Sequence, residues 1–189
     1  MFALPDLKLY MLLLGCRPNG RFTEQHDILF AIGESPKALV PQILEFWPEA
    51  KGIIHVDAFR TVTLVDGFEI SVVEKASAAV VNDYKLFFIN LGGYKRGEFD
   101  EFHYKMLVVA NTKEAAIAQA KQTAFYKHTG FEGAPSHIDD KYGIDVDDVF
   151  EIKDILPKAL KKQYSIAIIP TISTVADEMH LGYYKLDKL

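Results

Sequence analysis

Two continuous apolar runs, Leu9–Leu14 and Leu86–Leu91, each lead into glycine and then a turn-rich loop, Arg17-Pro18-Asn19-Gly20 in one case and Tyr94-Lys95-Arg96-Gly97 in the other. An unbroken apolar run of this length predicts a strand covered on both faces. Second strands are expected at about Asp27–Ile32 and Lys105–Ala110. Ser35 with Pro36, and Thr112 with Lys113, then have the character of a helix N-cap and first helical residue. The first helix is expected to stop near Trp47, before Pro48, with Pro41 delaying or kinking it. The second helix is expected over about 113–128. Two further strands follow in each half: His55–Leu64 and Phe68–Val73 around a turn at Asp66-Gly67, then Ile138–Val146 and Val149–Ile152.

The two halves match in sequence as well as in pattern. Residues 8–39 laid over 85–116 without a gap give nine identities in 32 columns, among them Gly15/Gly92, Gly20/Gly97, Phe22/Phe99, Glu24/Glu101 and His26/His103. Residues 55–70 laid over 137–152 give six in 16, including His55/His137, Asp57/Asp139 and Phe68/Phe150. Two blocks in the same order, separated by a five-residue addition in the second half, read as a tandem duplication. The expected fold class is α+β: two tandem ββαββ repeats, β-grasp or ubiquitin-roll-like, related by pseudo-twofold symmetry, with a C-terminal helix and hairpin (Tyr164–Ile169 and His180–Leu186). The expected division is 1–80 for the first unit, 81–156 for the second, and 157–189 for an extension packed on the repeats.

Composition narrows the function classes. The chain has 189 residues and a formal charge of −5, with neither half basic, which argues against a nucleic-acid binder, since phosphate neutralisation needs a basic footprint. One cysteine excludes an internal disulfide framework and suits a reducing, cytoplasmic setting. The run Leu9–Cys16 superficially imitates a lipoprotein cleavage box, but Asp6 beside Lys8 cancels the positive n-region and the aligned segment 85–93 lies in mid-chain. No other apolar stretch approaches the roughly 18 residues of a membrane span, so no membrane partner is expected. A small-molecule or protein partner, and assembly into a homo-oligomer, are left open.

The matched residues that carry chemistry are Glu24, His26, His55 and Asp57 in the first half, with Glu101, His103, His137 and Asp139 in the second. Each histidine has a carboxylate two positions away, a spacing that puts both side chains on one face of an extended chain. Such a set admits three readings: partly buried residues held by backbone hydrogen bonds, a binding or acid–base site in which a carboxylate fixes the imidazole tautomer, or ligands for a divalent Zn, Fe, Mn or Ni ion. No metal and no cofactor is assigned from the sequence. Gly15-x4-Gly20 lacks the Lys-Ser/Thr of a phosphate loop. Cys16 aligns with Gly93 and is expected as a small residue at a strand end, while Phe22, Phe99, Phe68 and Phe150 are expected as core anchors. His128 and His180 are expected on the surface or in packing.

The Leu-Gly-Gly/Cys loop with Gly-x-Phe-x-Glu-x-His, then a helix, then His-x-Asp and Phe-Glu-Ile, resembles the DUF1543-type bacterial family, a domain of unknown function occurring in one or two copies. The resemblance covers nearly the whole chain except the tail. It implies a small bacterial protein with no assigned activity and transfers no catalytic residues. The expected function is a non-catalytic ligand- or protein-binding module, the alternative a metal-assisted or acid–base hydrolase using the repeated Glu-x-His and His-x-Asp clusters.

Overall fold

The computed structural model describes residues 6–77, 82–94, 97–128 and 145–189. It is a mixed helix and sheet structure, with several antiparallel sheets and few helices. The chain divides into two compact units: Met1–Val81 with Leu156–Leu189, and Asn82–Ile155.

The first unit is built on β1 (Lys8–Cys16), which pairs antiparallel with β2 (Gln25–Gly33) on one side and β3 (His55–Thr61) on the other. Alternate residues of β1, from Tyr10 through Leu12 and Leu14 to Cys16, share a buried cluster with Leu29, Ala31 and Val56. Leu39 and Ile43 of the helical segment close that cluster. On the opposite face Leu9, Phe30 and Ile32 are buried too. Burial on both faces is why β1 reads as an unbroken apolar run rather than an alternation. Full burial of a side chain such as Leu12 or Leu14 contributes about 1.5–3 kcal/mol, so β1 is the strand on which the unit condenses.

The prolines divide the expected first helix in two. A 3-10 turn, Pro36–Leu39, precedes α1 (Val40–Phe46), and Trp47 ends it before Pro48. Pro36 and Pro41 each occupy a first turn, where the missing N–H is not needed. Ser35 makes no side-chain cap. Thr112 does: its Oγ1 accepts a hydrogen bond from the Ala115 N–H at 3.2 Å, opening α2 (Lys113–His128). β4 (Leu64–Val65) and β5 (Phe68–Glu74) form the expected hairpin on Asp66-Gly67, whose φ angles of 52° and 79° are those of the two-residue turn that Asp-Gly favours.

In the second unit, β6 (Lys85–Tyr94) pairs antiparallel with β7 (Glu101–Ala110) and β8 (Asp145–Glu151). Ala116 and Ala120 of α2 pack on Phe87, Ile89, Leu91 and Val108. Residues 145–151 form one strand where a turn between two was expected. The register shift opposite Asn90 and Leu91 leaves Asp147 as an extra residue, a bulge inside a continuous strand, and the chain then enters α3 (Ile152–Ile155). The earlier part of the expected strand, 138–144, lies outside the described residues.

After Leu156 the chain returns to the first unit with α4 (Lys158–Gln163), β9 (Tyr164–Pro170) and β10 (His180–Lys185). β9 and β10 do not form the expected hairpin. β9 runs antiparallel along β5, and β10 adds to the outer edge of β3, giving sheets ordered β4-β5-β9 and β10-β3-β1-β2. Each strand thereby covers an edge whose backbone groups would otherwise lack ladder partners. Asp177, in the connection between them, accepts hydrogen bonds from the backbone N–H groups of Thr63 at 2.9 Å and Leu64 at 3.3 Å, and from the Thr63 hydroxyl.

Asp177→Ala is expected to lower stability by about 1 kcal/mol, the scale of an exposed hydrogen-bonded anchor, read as a lower urea midpoint with unchanged slope. An unchanged midpoint would show that this connection is held by β9 and β10 alone.

Candidate functional site

At one end of the four-stranded sheet the ladder sets His26, Gly15 and His55 side by side: Gly15 of β1 pairs with His26 on β2 and with His55 on β3. Paired residues share a face, so both imidazoles rise from the same side with a glycine between them. A Cβ built on Gly15 would lie well inside contact distance of His55 Nε2 and 2.5 Å from Asp57 Oδ2. The space occupied by the side chains therefore exists only because residue 15 has none.

Glu24 enters just before β2. Asp57 is the extra residue of a bulge in β3, since Leu13 pairs with Ala58 while Leu14 pairs with Val56. Both carboxylates meet both imidazoles. His55 Nε2 lies 3.2 Å from Glu24 Oε1 and 3.2 Å from Asp57 Oδ1; His26 Nε2 lies 3.3 Å from Asp57 Oδ2 and 3.8 Å from Glu24 Oε2. Each carboxylate thus straddles the two nitrogens with its two oxygens.

Among the described residues His55 alone is both polar and buried, at 6% exposure. Its Nε2, and Asp57 Oδ2, are buried atoms that meet the opposite groups of the cluster as ion-pair contacts rather than as hydrogen bonds. His26 and Glu24 are nearly half exposed and form the open side. The Tyr183 ring of β10 stacks on His55, with centroids 4.1 Å apart. Tyr183 escaped the sequence reading because it lies far along the chain and has no counterpart in the repeat. As the side chains stand, no group of three or more His, Cys, Asp or Glu among the described residues could hold a metal ion.

The second unit repeats part of this arrangement. His103 pairs with Gly92, and Glu101 Oε2 lies 3.9 Å from His103 Nε2. On the other side of Gly92 the ladder brings Asp145 of β8, not a histidine. By register the counterpart of His55 is therefore residue 145, an offset of 90 rather than the 82 of the sequence match. His137 and Asp139 lie outside the described residues.

Other expectations resolve around the site. Phe22 and Phe99 are fully exposed, not core anchors, because they belong to the loops joining β1 to β2 and β6 to β7. Phe68 is half-buried and Phe150 is exposed. His180 packs, stacking on Phe59 at 4.6 Å. Cys16 lies in the buried cluster on the sheet face away from the histidines. Burial, with the Glu24 charge as a smaller cause, pushes its thiol above the usual range.

Comparison with known proteins gives a family-model match over part of the chain and a likeness in fold. Residues 21–72 match the model of the Domain of Unknown Function (DUF1543), a span that contains Glu24, His26, His55 and Asp57. No curated protein matches the chain. Among solved structures, a protein Il1583 from Idiomarina loihiensis is similar in fold, with a TM-score of 0.61 at 20% identity over 96% of this chain and 98% of that one. No helix among the described residues is long and apolar enough to cross a membrane.

The raised Cys16 thiol has a definite sign. Folded, it keeps its proton past the pH, about 8.5, at which an unfolded thiol loses it, so Cys16 subtracts stability as pH rises above that value. Alkylation at about pH 8.5 is expected to be slower in the native chain than in urea, since only the thiolate reacts and the native sulfur is buried. Equal rates would refute a buried, protonated thiol.

Proposed function

We propose that this chain is a ligand-binding module built by internal duplication, with its site at Glu24, His26, His55 and Asp57. The observation that carries the reading is His55 Nε2, buried above Gly15 with one oxygen of Glu24 and one of Asp57 each 3.2 Å away. One ring N–H serves one acceptor, yet each Nε2 is approached by an oxygen of both carboxylates, so the cluster holds more acceptors than protons to share. Here two carboxylates are also crowded together, which like-charge repulsion disfavours. Local arrangements that oppose folding in this way are expected where a ligand repays them.

Duplication is supported by the matching ladders as well as the matching residues. The register shift between Leu13 and Leu14 recurs 77 positions later between Asn90 and Leu91. The Gly15–His26 pairing recurs as Gly92–His103, and Gly20 and Gly97 both have positive φ, 81° and 85°. Two ββαβ cores with the same central strand and the same bulge are the economical account. The first unit then extends its core with β4 and β5, and the C-terminal strands add to it.

Glu24→Gln and Asp57→Asn are expected to leave the urea midpoint within about 0.5 kcal/mol of the parent, or to raise it, because each removes one of two crowded charges. A loss of about 2 kcal/mol or more in Asp57→Asn would make the cluster a structural element and end the binding reading.

A further inference from the structure

Resting on that reading, we propose that the ligand is a divalent first-row transition-metal ion of zinc-like size, taken by His26 Nε2, His55 Nε2 and one oxygen each of Glu24 and Asp57. The donor set is the first argument. Two neutral imidazoles and two carboxylates supply the nitrogen and oxygen donors that such ions prefer and neutralise a dication. The hard ions Mg and Ca, which take oxygen almost throughout, are poorly matched by two nitrogens.

Distance is the second argument. Ligands about 2.0–2.1 Å from a tetrahedral centre stand about 3.3–3.4 Å from one another, and three of the four nitrogen–oxygen approaches are 3.2, 3.2 and 3.3 Å. The fourth, His26 to Glu24, is 3.8 Å. The side chains as they stand form no closed sphere because each carboxylate divides its oxygens between the two histidines. The assignment requires each carboxylate to turn so that one of its oxygens serves both nitrogens. Glu24, 44% exposed, has the freedom to make the larger move.

The third argument is what the surroundings withhold. His55 Nε2 and Asp57 Oδ2 are buried and meet the cluster's own opposite groups at 3.2–3.3 Å, so a cation that replaces the shared protons takes its donors from within the cluster. Gly15 leaves these atoms the room they occupy, since a Cβ there would fall on them, and Tyr183 stacked on His55 limits its ring rotation. The second unit, with Asp145 in the place of the second histidine, lacks this two-imidazole set at the corresponding ladder positions.

The test uses the full chain, purified without a His tag and stripped with chelator, titrated with Zn(II) by calorimetry and with Co(II) by visible absorption. About one equivalent is expected at the first unit, with a Co(II) spectrum of four-coordinate intensity. Affinity is expected to fall about 100-fold or more in His55→Ala and in the half-exposed variants His26→Gln and Glu24→Gln. His103→Ala is expected to bind like the parent. Gly15→Ala, which keeps all four ligands and fills the space among them, is expected to lose binding while circular dichroism stays native. Absence of Zn(II) binding in the folded parent, or binding that survives in the doubly substituted His26→Gln/His55→Ala chain, overturns the metal assignment. If Asp57→Asn still keeps its urea midpoint in that case, the binding reading stands without the metal; if it does not, both fall.

Discussion

A strand position with no side chain, Gly15, is flanked on both sides by histidines, and the geometry of the site follows from that. Neighbouring strands in a sheet stand about 4.8 Å apart, so His26 and His55, two strands away from each other, would ordinarily be separated by whatever residue lies between them. With glycine there, two imidazoles from segments 29 positions apart in the chain rise from the same face, and His55 Nε2 and Asp57 Oδ2 lie over the β1 backbone between them. The Cβ that any other residue would add falls among His55 Nε2 and Asp57 Oδ2. Glycine weakens a strand interior; here Leu12 and Leu14, fully buried beside it, hold β1 in place.

The bulge in β3 is the second constraint. Regular pairing would give Asp57 a partner on β1; the shift between Leu13 and Leu14 leaves it unpaired and tilts its carboxylate toward both histidines. The bulge also lets Val56, its neighbour, remain in the buried cluster. Core and site thus share one strand on opposite faces. The C-terminal β10 then covers the outer edge of β3 and lays Tyr183 on His55, so the far end of the chain steadies a ring whose ladder partner is residue 15.

The second unit has the same central strand, the same glycine and the same bulge, yet a different residue opposite that glycine: Asp145 where the first unit has His55. The same backbone device thus carries a different residue type at the ladder position of His55. That difference arises from register. A strand displaced by a few residues presents a new set of side chains to the same place without changing the ladder.

Much of this protein was legible in its sequence, because strands, helix starts and tight turns depend on residues close together in the chain. The apolar runs of β1 and β6, the Asp66-Gly67 hairpin, the stop before Pro48 and the pairing of Glu24 with His26 are all local patterns. Glu24, His26, His55 and Asp57 stood out in the sequence as matched histidines with carboxylates two positions away, and the structure brings these four side chains together. Tertiary structure alone decided which strands meet. Sequence similarity aligned 145–152 with the hairpin of the first half, whereas hydrogen bonding set β8 beside β6; it also sent β9 and β10 to separate sheets and brought Tyr183 to His55. Phe22 and Phe99 matched each other as core residues would and proved exposed. Local propensity specifies an element and which of its faces is apolar, but the choice of partner and register is a competition among distant segments for the same backbone donors and acceptors, and that competition is settled only when the sheet forms.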